Sequence, residues 1–224
     1  MDRTIRTATI SLPDLDEPGL YLSRVDTLDN PRGMVQDFQY GDASLRALEL
    51  SHTQLVTGRI SGLTAARVLF DDVRASSVVF DTCDLSAVQW SDSKLSRVVF
   101  RNCKIMGASF DGIALDDVLF EGCKLDYTAL SKVRATGAAA FTGCSLTEAT
   151  FEDCDLSRVV LDDCTLRATQ FGRGRYQGLD LRGNDLSNLL SAHHLSKVVI
   201  GRDQESELAA ALLAELDVTF GDET

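Results

Sequence analysis

The sequence predicts an all-β solenoid, a four-sided β-helix over most of its length, closed by a short C-terminal α-helix. Three spacings carry this prediction. First, large apolar residues recur every five positions, as in Leu85, Trp90, Leu95, Phe100, Ile105, Phe110, Leu115 and Phe120. The series starts at Leu45 and runs through Leu50, Leu55, Ile60, Phe70 and Phe80 to Leu125 and Leu130. One extra residue near 136–140 shifts the frame, which resumes at Phe141 and continues through Leu146, Phe151, Leu156, Leu161, Leu166, Phe171, Tyr176 and Leu181 to Leu186. A one-residue deletion then leads to Leu190, Leu195 and Ile200. Eight of the ten Phe and the only Trp lie in this frame; Phe38 and Phe220 fall outside it.

Second, the residue two positions before each of these centres is usually small or β-branched, as at Val68, Val78, Cys83, Val88, Val98 and Cys103. A spacing of two places both side chains on one face of a strand. The next inward pair begins three residues later, so the chain must turn between them. Glycines 62, 107, 112, 122, 137, 143, 178 and 183 each lie two residues after a centre and mark that corner.

Third, cysteines recur at 83, 103 and 123, then at 144 and 164 after the insertion. A twenty-residue coil of four sides stacks these five in one column and places Cys154 on the opposite side. A unit with two inward side chains buries them only by stacking on its neighbours. The six cysteines therefore read as free buried thiols rather than a disulfide framework.

The segments CDLSA at 83–87, CKLDY at 123–127 and CDLSR at 154–158 match the consensus A(D/N)LXX, and VVFDT and VLFEG alternate with them. The chain thus resembles the pentapeptide-repeat family, including its actinobacterial, MfpA-type and Qnr-type members. The resemblance covers about 160 residues, or roughly eight coils, and implies a right-handed quadrilateral β-helix.

Three segments follow. Residues 1–41 lack the repeat, carry Pro13, Pro18 and Pro31, hold a candidate strand at 4–12, and are expected to cover the first coil. Residues 42–201 form the β-helix. Residues 202–224 form a helical cap, with Asp203 or Ser206 as the N-terminal cap, followed by a strand-like alternation of Val218 and Phe220. An apolar stripe of Leu208, Leu212, Leu213 and Leu216, with Phe220, either covers the last coil or joins two copies. The resemblance to Qnr-type and MfpA-type proteins implies the second, a tail-to-tail homodimer.

The bulk numbers exclude several function classes. The N-terminus has no apolar signal core and no stretch is long enough to span a membrane, so a cytoplasmic protein is expected. A formal net charge of −12 disfavours direct nucleic-acid or anionic-membrane binding. His193 and His194 are adjacent and far from His52, which is not a metal-ligand spacing, and His193 falls inward in the repeat frame. The GRGR run at 172–175 lacks the context of a phosphate loop. No nucleophile stands in a motif with a base. No enzyme activity, cofactor or metal is expected.

Charge differs among the sides. The side centred on Leu50, Phe70, Trp90, Phe110, Leu130, Phe151 and Phe171 carries Glu49, Asp71, Asp72, Asp92, Asp111, Glu152 and Asp153, opposed only by Lys132 and Arg173. The next side is basic through Arg74, Lys94, Arg97, Arg134, Arg158 and Arg175, against Asp116, Asp117 and Asp155. Two functions fit. One is a rod-like scaffold for a protein partner. The other, implied by the resemblance, is a DNA mimic that binds DNA gyrase, with fluoroquinolone protection. Duplex DNA carries about one charge per 1.7 Å of axis, whereas seven acids over about six coils give nearer one per 4 Å.

Overall fold

The computed structural model describes residues 1–216 and 218. Its body is a parallel quadrilateral β-helix followed by one short α-helix. Strand β3 (Ser23–Arg24) pairs with β4 (Met34–Gly41), and β4 pairs in parallel with Gln54–Ser61. The ladder then repeats every twenty residues through Arg74–Asp81, Lys94–Arg101 and Ala114–Glu121. Sheet pairing therefore begins at Ser23, upstream of Asp42, where the centre spacing first becomes readable. The offset becomes twenty-one across residues 136–138, where Phe120 faces Phe141, and nineteen where Asp180 faces Val199.

Most inward positions are buried in one continuous core, and those of the end coils, such as Leu45, Leu195 and Ile200, pack partly buried against it. On one side Phe80, Phe100, Phe120 and Phe141 stack with ring centroids 4.5–4.7 Å apart, close to the spacing of paired strands. The cysteine column forms as its spacing predicts. All six thiols are free and buried, and Cys103 Sγ donates to the carbonyl of Phe80 at 3.5 Å. Burial pushes the Cys154 thiol up to about 11, opposite to the shift that makes a thiol reactive. Phe38, outside the five-residue frame, is buried two residues before Tyr40 and fills the space left by Gly58 in the next coil.

The corner two residues after most centres is left-handed. Glycines 62, 107, 112, 122, 143, 178 and 183 take φ between 58° and 83°; Gly137 does not, because the extra residue enters there.

Several expectations are corrected. Within residues 1–41, expected to cover the first coil, residues 1–12 lie elsewhere. They fold into an antiparallel hairpin of β1 (Asp2–Ile5) and β2 (Ala8–Ser11) that lies lengthwise on one side of the rod. Leu190 is 46% exposed and Leu189 is buried instead, because the frame is still intact at Gln170 and Leu190 and loses its residue only afterwards. His193 is exposed, since a 3-10 turn at Ala192–His194 replaces the strand there.

At the C-terminal end a 3-10 turn (Arg202–Gln204) leads into α1 (Glu205–Glu215). Neither Asp203 nor Ser206 caps it. Gln204 ties the turn down by donating to the carbonyls of Leu181 and Asn184 at 3.0 and 2.6 Å. Ala211 is buried on the last coil, with Leu208 and Leu212 packed beside it. Leu213 and Leu216 stay exposed, as does Val218, which is in no strand. Phe220 lies outside the described residues. No described helix is long and apolar enough to cross a membrane.

Candidate functional site

The rod has flat sides, so its functional chemistry lies in what those sides display. The stacking brings Glu49, Asp71, Asp72, Asp92, Asp111, Glu152 and Asp153 to one side, because each sits one residue before, one after or two after a centre of the same column. Their charge is largely compensated. His52 Nδ1 lies 2.9 Å from Asp72 Oδ2, and Arg74 Nε lies 3.9 Å from Asp72 Oδ1. Arg67 approaches Glu49 at 3.8 Å and Lys132 approaches Asp111 at 3.4 Å. Arg173 reaches Glu152 at 3.3 Å and Asp153 at 3.9 Å. The hydrogen bond between His52 and Asp72 holds that carboxyl below its ordinary value and raises the imidazole.

Among the described residues, Asp71 and Asp92 alone of the seven have no base within 4 Å. Asp71 accepts from Ser91 Oγ at 2.7 Å. The compensating Arg67 and Arg74 belong to the two adjacent sides. Counting charge along one side of the sequence therefore misses them; a search for bases near the corners would have found them.

On the basic side, Lys94 approaches Asp116 at 3.6 Å and Arg175 approaches Asp155 at 3.5 Å. Arg97, Arg134 and Arg158 are exposed and, among the described residues, have no carboxylate within 4 Å; Asp117 likewise has no base.

Two segments of the coil match known repeat families. Residues 64–130 match the family described as pentapeptide repeat region, and residues 139–175 match the family described as pentapeptide repeats (8 copies). Over these two segments the chain is similar to the pentapeptide-repeat family. No curated protein matches it. Solved structures similar to it include trypsin-treated QnrB1, a plasmid-mediated fluoroquinolone resistance protein. That likeness has 15% identity over 81% of this chain and 99% of that one, with a TM-score of 0.47. Full-length QnrB1 gives 19% identity over 80% and 89%, with a TM-score of 0.36. HetL from Nostoc sp. strain PCC 7120, involved in heterocyst differentiation regulation, gives 16% over 74% and 86%, with a TM-score of 0.22. Likenesses this distant say nothing about what the rod binds.

The third candidate surface is the end of the rod. Leu213 and Leu216 are 40% and 73% exposed, beside half-buried Leu212. Glu215 closes this end on the last coil by accepting from the backbone N–H of Ala192 and pairing with His193 Nδ1 at 2.7 Å.

Proposed function

We propose that this chain is a non-catalytic scaffold that holds a protein partner against the flat sides of its rod. The observation that carries the reading is the internal pairing of the acidic side. A DNA mimic needs uncompensated negative charge near the density of duplex phosphates, about one per 1.7 Å. Here five of the seven acids already face a base, leaving Asp71 and Asp92 on neighbouring coils. A mixed, internally neutralised surface suits the polar rim of a protein interface better. The unpaired charge on the next side, Arg97, Arg134 and Arg158 against Asp117, favours a partner whose contacting surface is acidic.

The test is capture of a partner from the cell extract in parallel with a DNA gyrase supercoiling assay. Capture should survive Asp71→Asn/Asp92→Asn and be lost on Arg97→Glu/Arg134→Glu/Arg158→Glu, with supercoiling unchanged at micromolar protein. Inhibition of gyrase by the wild type, abolished in the two-Asn variant, would overturn the scaffold in favour of DNA mimicry.

The exposed Leu213 and Leu216 support tail-to-tail pairing of two copies through the helical end, with Leu212 at its margin. Leu213→Asp should return such a dimer to monomer in sedimentation. The free buried thiols suit a reducing compartment, the cytoplasm.

A further inference from the structure

The N-terminal hairpin occupies a seat that is separate from the interior of the rod. Ile5, Ala8, Ile10 and Leu15 pack on an outward column of Val79, Val99, Leu119, Ala140 and Val160, and together these form a hydrophobic cluster of their own. The core inside the coils is a second cluster, and the wall of parallel sheet lies between the two. Lifting the hairpin would expose the column and leave every coil packed, so such opening does not require global unfolding.

The polar chemistry of the seat matches the hairpin. Arg3 Nη1 donates to Glu121 Oε1 at 2.5 Å, and Arg6 Nε donates to Asp162 Oδ1 at 2.7 Å. Thr7 Oγ1 donates to Asp180 Oδ2 at 3.4 Å. The tether back to the rod runs over residues 12–22, includes Pro13 and Pro18, and ends where β3 joins the sheet. Fully extended, such a tether reaches up to about 35 Å.

We propose that this seat is a self-recognition site that takes the N-terminal hairpin of a second copy. What fits it is a two-stranded ribbon with one apolar face and arginines at its third and sixth residues, and every copy carries that ribbon. Exchange keeps the contacts of residues 2–11 with the seat and changes the course of the tether, whose Leu12, Leu15, Leu20 and Leu22 then re-form their contacts from the second copy. Swapping an identical element in this way is a route to pairing. Within one chain the tether holds the hairpin at an effective concentration of order millimolar. The intrachain seat therefore fills first, and exchange shows itself when that match is broken.

Two full-length variants test this, both carrying Leu213→Asp to keep the C-terminal ends apart. Arg3→Glu/Arg6→Glu has an open seat, and Glu121→Arg/Asp162→Arg has a free hairpin. Each alone should sediment at the monomer mass of 24.4 kDa. A one-to-one mixture should yield a species of twice that mass, whereas all four substitutions in one chain restore the intrachain match and give monomer. A mixture of folded variants that stays at monomer mass would overturn the proposal. So would equal association by the four-substitution chain. Hydrogen exchange on the wild type is independent of these variants. Amides of 2–11 should exchange at least tenfold faster than those of 94–101, and equal protection would show that the hairpin does not lift.

Discussion

Replacing Phe100 by alanine should cost the rod more than a typical core truncation. The ring is fully buried and lies between Phe80 and Phe120, with centroids 4.7 and 4.6 Å away and planes within 10° and 4° of parallel. Trp90 meets it edge-on at 6.1 Å. Phe-to-Ala changes in cores cost about 3–5 kcal/mol, depending on how far the surroundings collapse into the gap. Here they cannot collapse far, because Val99 and Arg101 stay fixed in ladders with the coils on either side. The upper part of the range, about 4–5 kcal/mol, is therefore expected. For a chain of this size that corresponds to a fall in Tm of roughly 8–20 °C. Denaturant unfolding followed by circular dichroism and by fluorescence of Trp90, the single tryptophan, measures the loss with a probe in contact with the cavity. A loss below about 1 kcal/mol would refute the close-packed column, and with it the inward assignment of the five-residue centres.

Gly58→Val should destabilise by about 1–3 kcal/mol, because any Cβ there enters the Phe38 ring; Phe38→Val in the same chain should recover most of the loss, measured as a double-mutant cycle. Cys103 and Cys123 should resist a thiol reagent in native buffer and react fully in denaturant, read by mass spectrometry; reaction in native buffer would place them outside the core. Stability should fall with acid. Burial opposes ionisation of Asp180, but the Arg182 side chain, at 2.6 and 2.9 Å, outweighs it and holds the carboxyl below its ordinary value, and Glu121 is held down likewise by Arg3 and Arg101. A depressed carboxyl stabilises the fold above its unfolded value of about 4 and loses that contribution as pH drops toward the folded value. Melts at decreasing pH should thus show a decline starting near pH 4–5, smaller in Asp180→Asn relative to its own neutral-pH stability.

The interior of the rod was legible because every coil makes the same demand at the same two positions, so the signal repeats at five and at twenty. The frame failed only where that demand ceased. At Ser191 the chain enters a 3-10 turn instead of a strand, which puts Leu190 and His193 outside and Leu189 inside. The hairpin's place was hidden for a different reason. Its contacts join Arg3 to Glu121 and Arg6 to Asp162, far apart in sequence and without local pattern. The seat did leave a trace, in the apolar doublets Val78–Val79, Val98–Val99, Val118–Leu119, Ala139–Ala140 and Val159–Val160, whose second member points outward on one side only. Four different sides blur such a signal unless the sequence is laid out at period twenty.

The acidic side shows how a backbone requirement can look like a binding surface. Asp72, Asp92 and Asp153 occupy left-handed corners, with φ of 47°, 47° and 52°. Aspartate and asparagine tolerate that conformation better than other non-glycine residues. The same corner holds Asp117 on the basic side, at 57°, and Asp42, Asn102 and Asp163 on the side that seats the hairpin, at 54°, 52° and 54°. An acid at this position is thus an answer to corner geometry on three sides, and only its exposure and pairing bear on recognition. That is why aspartate-to-asparagine exchange is the informative substitution for the gyrase assay. At Asp92 it removes an unpaired charge and keeps a side chain suited to the corner, so a change in binding would report on charge rather than on a damaged coil. Alanine there would confound the two, because it removes the charge and strains the turn together.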